Sequence, residues 1–143
     1  MTTYNHGPFI LEAISSILNQ SYNNFELIIV NDGSSDDTHV KILSVKDPRI
    51  KYISQENKGT SSAVNKAYEN AKGEYIAFMS GDDISCENRL DVQLEIASDK
   101  ENTILFSEAT FIDETGTELK ASSWAANLFK YSNLSQTEII YRL

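Results

Sequence analysis

The run FELIIV at residues 25 to 30 passes directly into NDGSSDDT. A short, almost wholly apolar segment ending in the β-branched residues Ile28, Ile29 and Val30 reads as a strand covered on both faces. The turn formers and helix N-caps behind it stop that strand. Helical spacing flanks it on both sides. Phe9, Ile10, Ala13, Ile14, Ile17 and Leu18 predict a helix from Pro8 to about Gln20, and a short helix is predicted from Thr38 to about Val45. Strands alternating with helices argue for a layered α/β architecture with a mainly parallel sheet.

The alternation continues. DPR at residues 47 to 49 predicts a turn, Ile50 to Ser54 a strand, QENKG a loop and Ser61 to Ala71 a helix ended by Lys72 and Gly73. Glu74 to Met79 is predicted as a further strand, Leu90 to Ala97 as a helix and Thr103 to Ser107 as a strand, with DETG at 113 to 116 as a hairpin turn. MTTYNHGP offers no apolar run ahead of the first helix, where an α/β domain usually has a buried strand. At the other end Ser135 to Glu138 forms a capping box that opens a helix, while residues 119 to 133 show no usable periodicity. The expectation is a mainly parallel sheet flanked by helices, one partial domain over residues 1 to 143 that is incomplete at both ends.

In such sheets ligands bind beyond the carboxyl ends of the strands. Asp32 with Asp36 and Asp37, and Asp82 with Asp83, fall at two such ends and are expected on one rim. Adjacent carboxylates repel, so Asp82 and Asp83 either occupy a solvated turn, with Asp83 capping the next helix, or hold a hard divalent cation such as Mg²⁺ or Mn²⁺. Asp32 is either a turn residue or an acceptor for a ligand N–H such as that of a uracil ring. Tyr4 is either a core aromatic or a stacking platform for a base. Asn57, Lys58 and Gly59 read as a turn, and His6 and His39 as surface residues. Cys86, the single cysteine, reads as a partly buried small side chain and permits no internal disulfide.

A net charge of -9 and a pI near 4.6 argue against a surface that grips nucleic acid or anionic lipid. A phosphate-bearing ligand needs local help from a cation. No apolar run approaches the ~20 residues that span a bilayer.

The ordered set TTYNHGPFILEAISSILNQSYNNFELIIVNDGSSDDT, DPRIKYISQENKG and KGEYIAFMSGDD resembles the family 2 glycosyltransferases, which use the GT-A fold. The resemblance covers about residues 2 to 113. It implies transfer of a sugar from a nucleotide diphosphate sugar, UDP being the expected nucleotide, to an acceptor hydroxyl with inversion. By position it implies Thr2 and Tyr4 beside the base, Asp32 binding the base, Asp82 near the ribose and diphosphate, and Asp83 as ligand of Mg²⁺ or Mn²⁺. Three positions depart from the pattern: Asn31 replaces an acid ahead of Asp32, Ser80 replaces the first acid of the Asp-Asp motif, and Val64 stands where many members carry a phosphate-binding Arg. Lys58 and Lys66 are the cations that could compensate.

The family's opening strand would end just before Thr2, and its general base would lie beyond Leu143. Glu108 and Asp113 are no substitutes for that base. The expected setting is a bacterial cell-envelope polysaccharide pathway, in the cytoplasm or peripheral to the inner face of the membrane. The acceptor would be a carbohydrate or lipid-linked one, and an oligomer is compatible with the reading. Two rivals are a nucleotide-sugar-binding fragment without turnover and a Mg²⁺-dependent receiver-like or phosphatase-like domain. The latter needs an acceptor Asp with an ordered Lys and Ser or Thr, a set this sequence lacks.

Overall fold

The computed structural model describes residues 1–100, 102–107 and 109–118. The expected capping box and the stretch from 119 to 133 lie outside the described residues, as does Glu108. Two compact units divide the chain, Met1–Glu95 and Ile96–Leu143.

The first unit is an α/β layer structure. In chain order it has β1 (Thr2–Thr3), α1 (Ile10–Leu18), β2 (Leu27–Asp32), α2 (Thr38–Ser44), β3 (Ile50–Gln55) and α3 (Thr60–Glu69), followed by α4 (Arg89–Ala97), which crosses the division. The three strands form a parallel sheet in the order β1-β2-β3. Every residue of β2 is buried. Its alternate side chains feed two cores: Leu27 and Ile29 pack with Ile10, Ile14 and Ile17 of α1 and Ile42 of α2. Ile28 and Val30 pack with Ala63 of α3. Ile29 and Val30 have no exposed surface, and each contributes on the order of 1.5–3 kcal/mol by burial. The amino-terminal end of the sheet is tied by Arg49, which bridges Asp47 at 2.8 Å and the Leu18 carbonyl at 3.1 Å.

β2 runs to Asp32, two residues past the expected stop. Asn31 and Asp32 pair with Ser54 and Gln55, so the ladder rather than the turn formers sets the end. The chain start also differs from expectation, because Thr2–Thr3 is a strand although it is not apolar. Thr2 pairs with Val30 on one side and bridges Ser80 on the other, with the Gly81 N–H donating to the Thr2 carbonyl at 2.9 Å. Backbone pairing between two fixed neighbours needs no apolar side chain.

Residues 74 to 79 do not form the expected strand. Among the described residues the ladder beside them is the two-residue β1, and it reaches them at the Ser80 bridge and the Thr2 N–H to Met79 carbonyl bond of 3.2 Å. Without a longer partner the backbone cannot ladder, and Tyr75, Ile76 and Phe78 are exposed.

In the second unit, Thr103 to Ser107 is not a strand either. Ile104 and Phe106 are exposed. The turn at Asp113 to Gly116 is present, with Gly116 at φ 81 and an antiparallel bridge between Ile112 and Glu118.

Candidate functional site

The carboxyl ends of β1, β2 and β3 carry the loops at residues 4–8, 33–37 and 56–59, and the Ser80 bridge brings residues 80–85 to the same end of the sheet. Asp32 closes β2 and is 4 % exposed. Its Oδ1 accepts the Gln55 side-chain amide at 2.7 Å and the Lys58 N–H at 2.9 Å. Burial pushes the carboxyl pKa up, but hydrogen bonds from Lys58, Gln55 and the Gly59 N–H outweigh it and hold the group below its ordinary value. The result is a buried carboxylate that stays charged. Asn57 to Gly59 therefore does more than turn the chain, and Gln55 is a member of the site that the sequence pattern did not mark.

Asn31, in place of the acid, has a structural job. Its Oδ1 accepts the Ser34 N–H at 3.0 Å and the Ser34 hydroxyl at 2.6 Å, while Nδ2 donates to the Tyr52 hydroxyl at 3.1 Å. His39 sits on the surface as expected, with Nδ1 at 2.7 Å from the same hydroxyl. Gly33 lies at φ 74, and a Cβ there would stand 2.6 Å from the Asn57 backbone nitrogen, so only glycine lets these two loops meet.

Tyr4 is 46 % exposed, which removes the core-aromatic alternative. The segment behind it is fastened to the β2–α2 loop: the Asn5 N–H donates to Ser34 Oγ at 2.9 Å and the Ser35 N–H to Asn5 Oδ1 at 2.8 Å.

Asp82 and Asp83 follow the Ser80 bridge. The Ser80 hydroxyl donates to Asp82 Oδ1, and its N–H reaches Asp83 Oδ2 at 3.3 Å. Asp83 is not the cap of the next helix, because α4 starts at Arg89. His6 is not a plain surface residue either: its Nδ1 is buried without a hydrogen-bond partner and lies 3.6 Å from Asp82 Oδ1. The close approach of residues 3 and 81 puts it there, since a Cβ on Gly81 would stand 2.6 Å from Thr3 Oγ1 and 3.1 Å from His6 Nδ1. Cys86 is exposed rather than partly buried, and its carbonyl accepts the Gln20 side-chain amide.

A cavity of about 310 Å³ is lined by Thr2, Val64, Ser80 and Asp83 together with apolar groups such as Phe78 and Met79. The geometry thus brings Thr2 and Asp83 to one pocket, with Val64 in its wall. Neither Lys58 nor Lys66 lines it. Among the described residues no group of three His, Cys, Asp or Glu side chains could by itself enclose a metal ion.

The model of the family described as "Glycosyl transferase family 2" matches residues 1–141. An uncharacterized glycosyltransferase of Rickettsia bellii is 38% identical over 132 residues, 88% of this chain and 19% of the relative. The UDP-Glc:alpha-D-GlcNAc-diphosphoundecaprenol beta-1,3-glucosyltransferase WfgD of Escherichia coli is 42% identical over 97 residues, 67% of this chain and 38% of the relative. The chain therefore spans about a fifth to two fifths of these relatives. Among solved structures, the mannosyltransferase PcManGT from Pyrobaculum calidifontis in complex with GDP-Man and Mn²⁺ superposes with a TM-score of 0.53 at 26% identity. That match covers 58% of this chain and 27% of the other. No described helix is long and apolar enough to cross a membrane.

Proposed function

The chain belongs to glycosyl transferase family 2, and from that membership we propose that its carboxyl-end rim binds a uridine diphosphate sugar for inverting transfer to an acceptor hydroxyl. The observation that carries this reading is Asp32, a buried carboxylate kept charged by N–H donors. Such an acceptor recognises the N–H of a pyrimidine ring through a charge-assisted bond. Tyr4, half exposed and braced from behind by Asn5, offers the ring a stacking face.

At the diphosphate end, Asp82 and Asp83 supply hard oxygen donors that fit Mg²⁺ or Mn²⁺. With no three-ligand set among the described residues, Asp83 would hold the cation jointly with donor phosphates and water. When bound, that cation neutralises charge on the departing diphosphate. The acceptor oxygen bonds to the anomeric carbon as the carbon–oxygen bond to the diphosphate breaks, and the electron pair leaves with the nucleoside diphosphate. The acceptor proton passes to a general base that we assign to no described residue. For residues 1 to 143 alone the reading is donor binding.

Uridine is supported by the UDP-Glc named for WfgD, a lipid-linked acceptor by the diphosphoundecaprenol in the same name, and the cation by the Mn²⁺ in the PcManGT complex. The receiver-like alternative is set aside by the family match. Calorimetric titration of UDP and of GDP into the chain, with Mn²⁺ and then with EDTA, tests the reading. UDP uptake that requires the metal is expected; preference for GDP would overturn uridine, and binding indifferent to EDTA would overturn the metal.

A further inference from the structure

Asp82 and Asp83 lie on a short arc strung between two anchors. The first is the sheet, where the Gly81 N–H donates to the Thr2 carbonyl at 2.9 Å. The second is the carboxyl end of α1, where Ser16 Oγ accepts the Ser85 N–H at 3.0 Å and Gln20 takes over from there. Gln20 is 3 % exposed, and its amide is spent on this loop. Nε2 donates to the Cys86 carbonyl at 2.7 Å and the Ser16 carbonyl at 3.0 Å, with Ser85 Oγ at 3.4 Å. Oε1 accepts the Leu90 N–H at 3.0 Å. One side chain thus joins α1, the arc behind Asp83 and the first turn of α4.

We infer that Gln20 is a positioning residue for Asp83, holding the carboxylate where cation and diphosphate meet. The inference rests on the donor-binding reading and extends it to a residue that touches no ligand. Two adjacent negative side chains favour spreading of the arc, which the Ser80 bonds resist from the sheet side and the Ser16 and Gln20 bonds from the far side. Partners hydrogen-bonded to a metal ligand typically change metal affinity about 10- to 100-fold, and Gln20 acts on the backbone that carries the ligand. Gln20 makes none of its bonds to Asp32 or Tyr4, so its influence should fall on the diphosphate end alone.

The test compares the wild-type chain with Gln20→Ala and Gln20→Glu. The Glu variant keeps an oxygen for the Leu90 N–H but turns a second one on the carbonyls of Ser16 and Cys86. UDP is titrated with Mn²⁺, uridine without metal, and amide exchange is followed in the ligand-free proteins. The expected result is a roughly 10- to 100-fold loss for UDP with Mn²⁺, unchanged uridine affinity, and faster exchange at Ser85 and Leu90 but not at Val30. Equal losses for both ligands, or none for either, would overturn the inference. Should neither variant fold, Ser16→Ala removes the acceptor of the Ser85 N–H together with a hydroxyl bond to the Ala13 carbonyl within α1; the same selective loss supports the inference, and unaltered UDP affinity overturns it. Wild-type protein whose UDP binding ignores Mn²⁺ would instead reject the reading of Asp83 itself.

Discussion

The N–H of Gly7 donates to Asp36 Oδ2 at 2.8 Å, and this bond joins the segment carrying Tyr4 and His6 to the loop behind β2. Lys41 secures the same glycine from the other side, its ammonium 2.8 Å from the Gly7 carbonyl. A Cβ on Gly7 would stand 2.0 Å from Asp37 Oδ1 and 2.8 Å from Asp36 Oδ2. Asp37 has room to swing away; Asp36 cannot without giving up the bond. Gly7→Ala should therefore cost about 1–3 kcal/mol in urea denaturation and weaken uridine through the displaced Tyr4. Wild-type stability and affinity in that variant would show that the latch is slack.

Asp32 is the sharper case. Removing its carboxylate with Asp32→Ala strands the Lys58 N–H and leaves the Gln55 amide only its 3.4 Å contact to Ser62 Oγ, a loss of about 1–3 kcal/mol. Binding of uridine and of UDP should fall together, because the base is common to both. Calorimetry on the two ligands decides it, and affinities equal to wild type would take Asp32 out of the base pocket.

The paired runs were legible because their chemistry is local. Ile28, Ile29 and Val30 announce a strand covered on both faces, and the spacing of Ile10, Ile14 and Ile17 announces the helix that covers one of them. Apolarity does not say whether a neighbour stands alongside, which is why 74 to 79 looked like a strand and is not one. Thr2 and Thr3 failed in the opposite sense, paired by backbone groups that no side chain advertises. In the candidate site the acids were visible, but their supports were not: Gln20 and Gln55 are ordinary polar residues until the fold sets them against partners 66 and 23 positions away.

Asp83→Ala should abolish the metal-dependent part of UDP binding and leave the fold as it is. Its hydrogen bond from the Ser80 N–H is long, at 3.3 Å, and its other interaction is the attraction of the Arg89 guanidinium, so the loss should stay local. Thermal melting would remain at the wild-type temperature while the difference between Mn²⁺ and EDTA titrations vanishes. A variant that still responds to Mn²⁺ would move the cation to Asp82 or elsewhere.

Acid should unfold the protein through Asp32 and Asp36. Burial raises the pKa of both, yet hydrogen bonds, from Lys58, Gln55 and Gly59 to Asp32 and from Thr38 and Gly7 to Asp36, leave each below the ordinary 3.8. The unfolded chain therefore binds these protons more readily than the folded one. Their stabilisation is complete above the unfolded value and is lost as pH falls through the folded one. The part of the urea midpoint owed to these two carboxylates should be level above about pH 5 and drop below about pH 4, an acid limb separate from the rise between pH 6 and 8 that the Met1 amine gives. Asp32→Asn should flatten part of that drop; an unaltered acid limb would mean that Asp32 ionises alike in both states.

The last prediction concerns the sheet ahead of Met1. The Met1 ammonium donates to the Ile28 carbonyl at 2.8 Å, and burial lowers its pKa from 8.0 to about 6. Continuing the register of Thr2 with Val30 and Ser80 backwards places a preceding strand between Leu27 and Ile28 of β2 and residues 76 to 78. Fusing roughly four β-branched residues there, ~13 Å of strand, should stabilise the protein by pairing on both sides and by replacing a buried amine with an amide. The two effects separate by pH. The free-amine chain binds fewer protons folded than unfolded between pH 6 and 8, so it gains stability as pH rises through that window, by about 2–3 kcal/mol. The fused chain has no such slope. Its advantage should narrow from about pH 6 to about pH 9, and what persists at the higher pH measures strand pairing, which faster amide exchange at Ala77 and Phe78 in the unfused chain would report independently. No residual advantage at high pH would show that this position does not accept a strand.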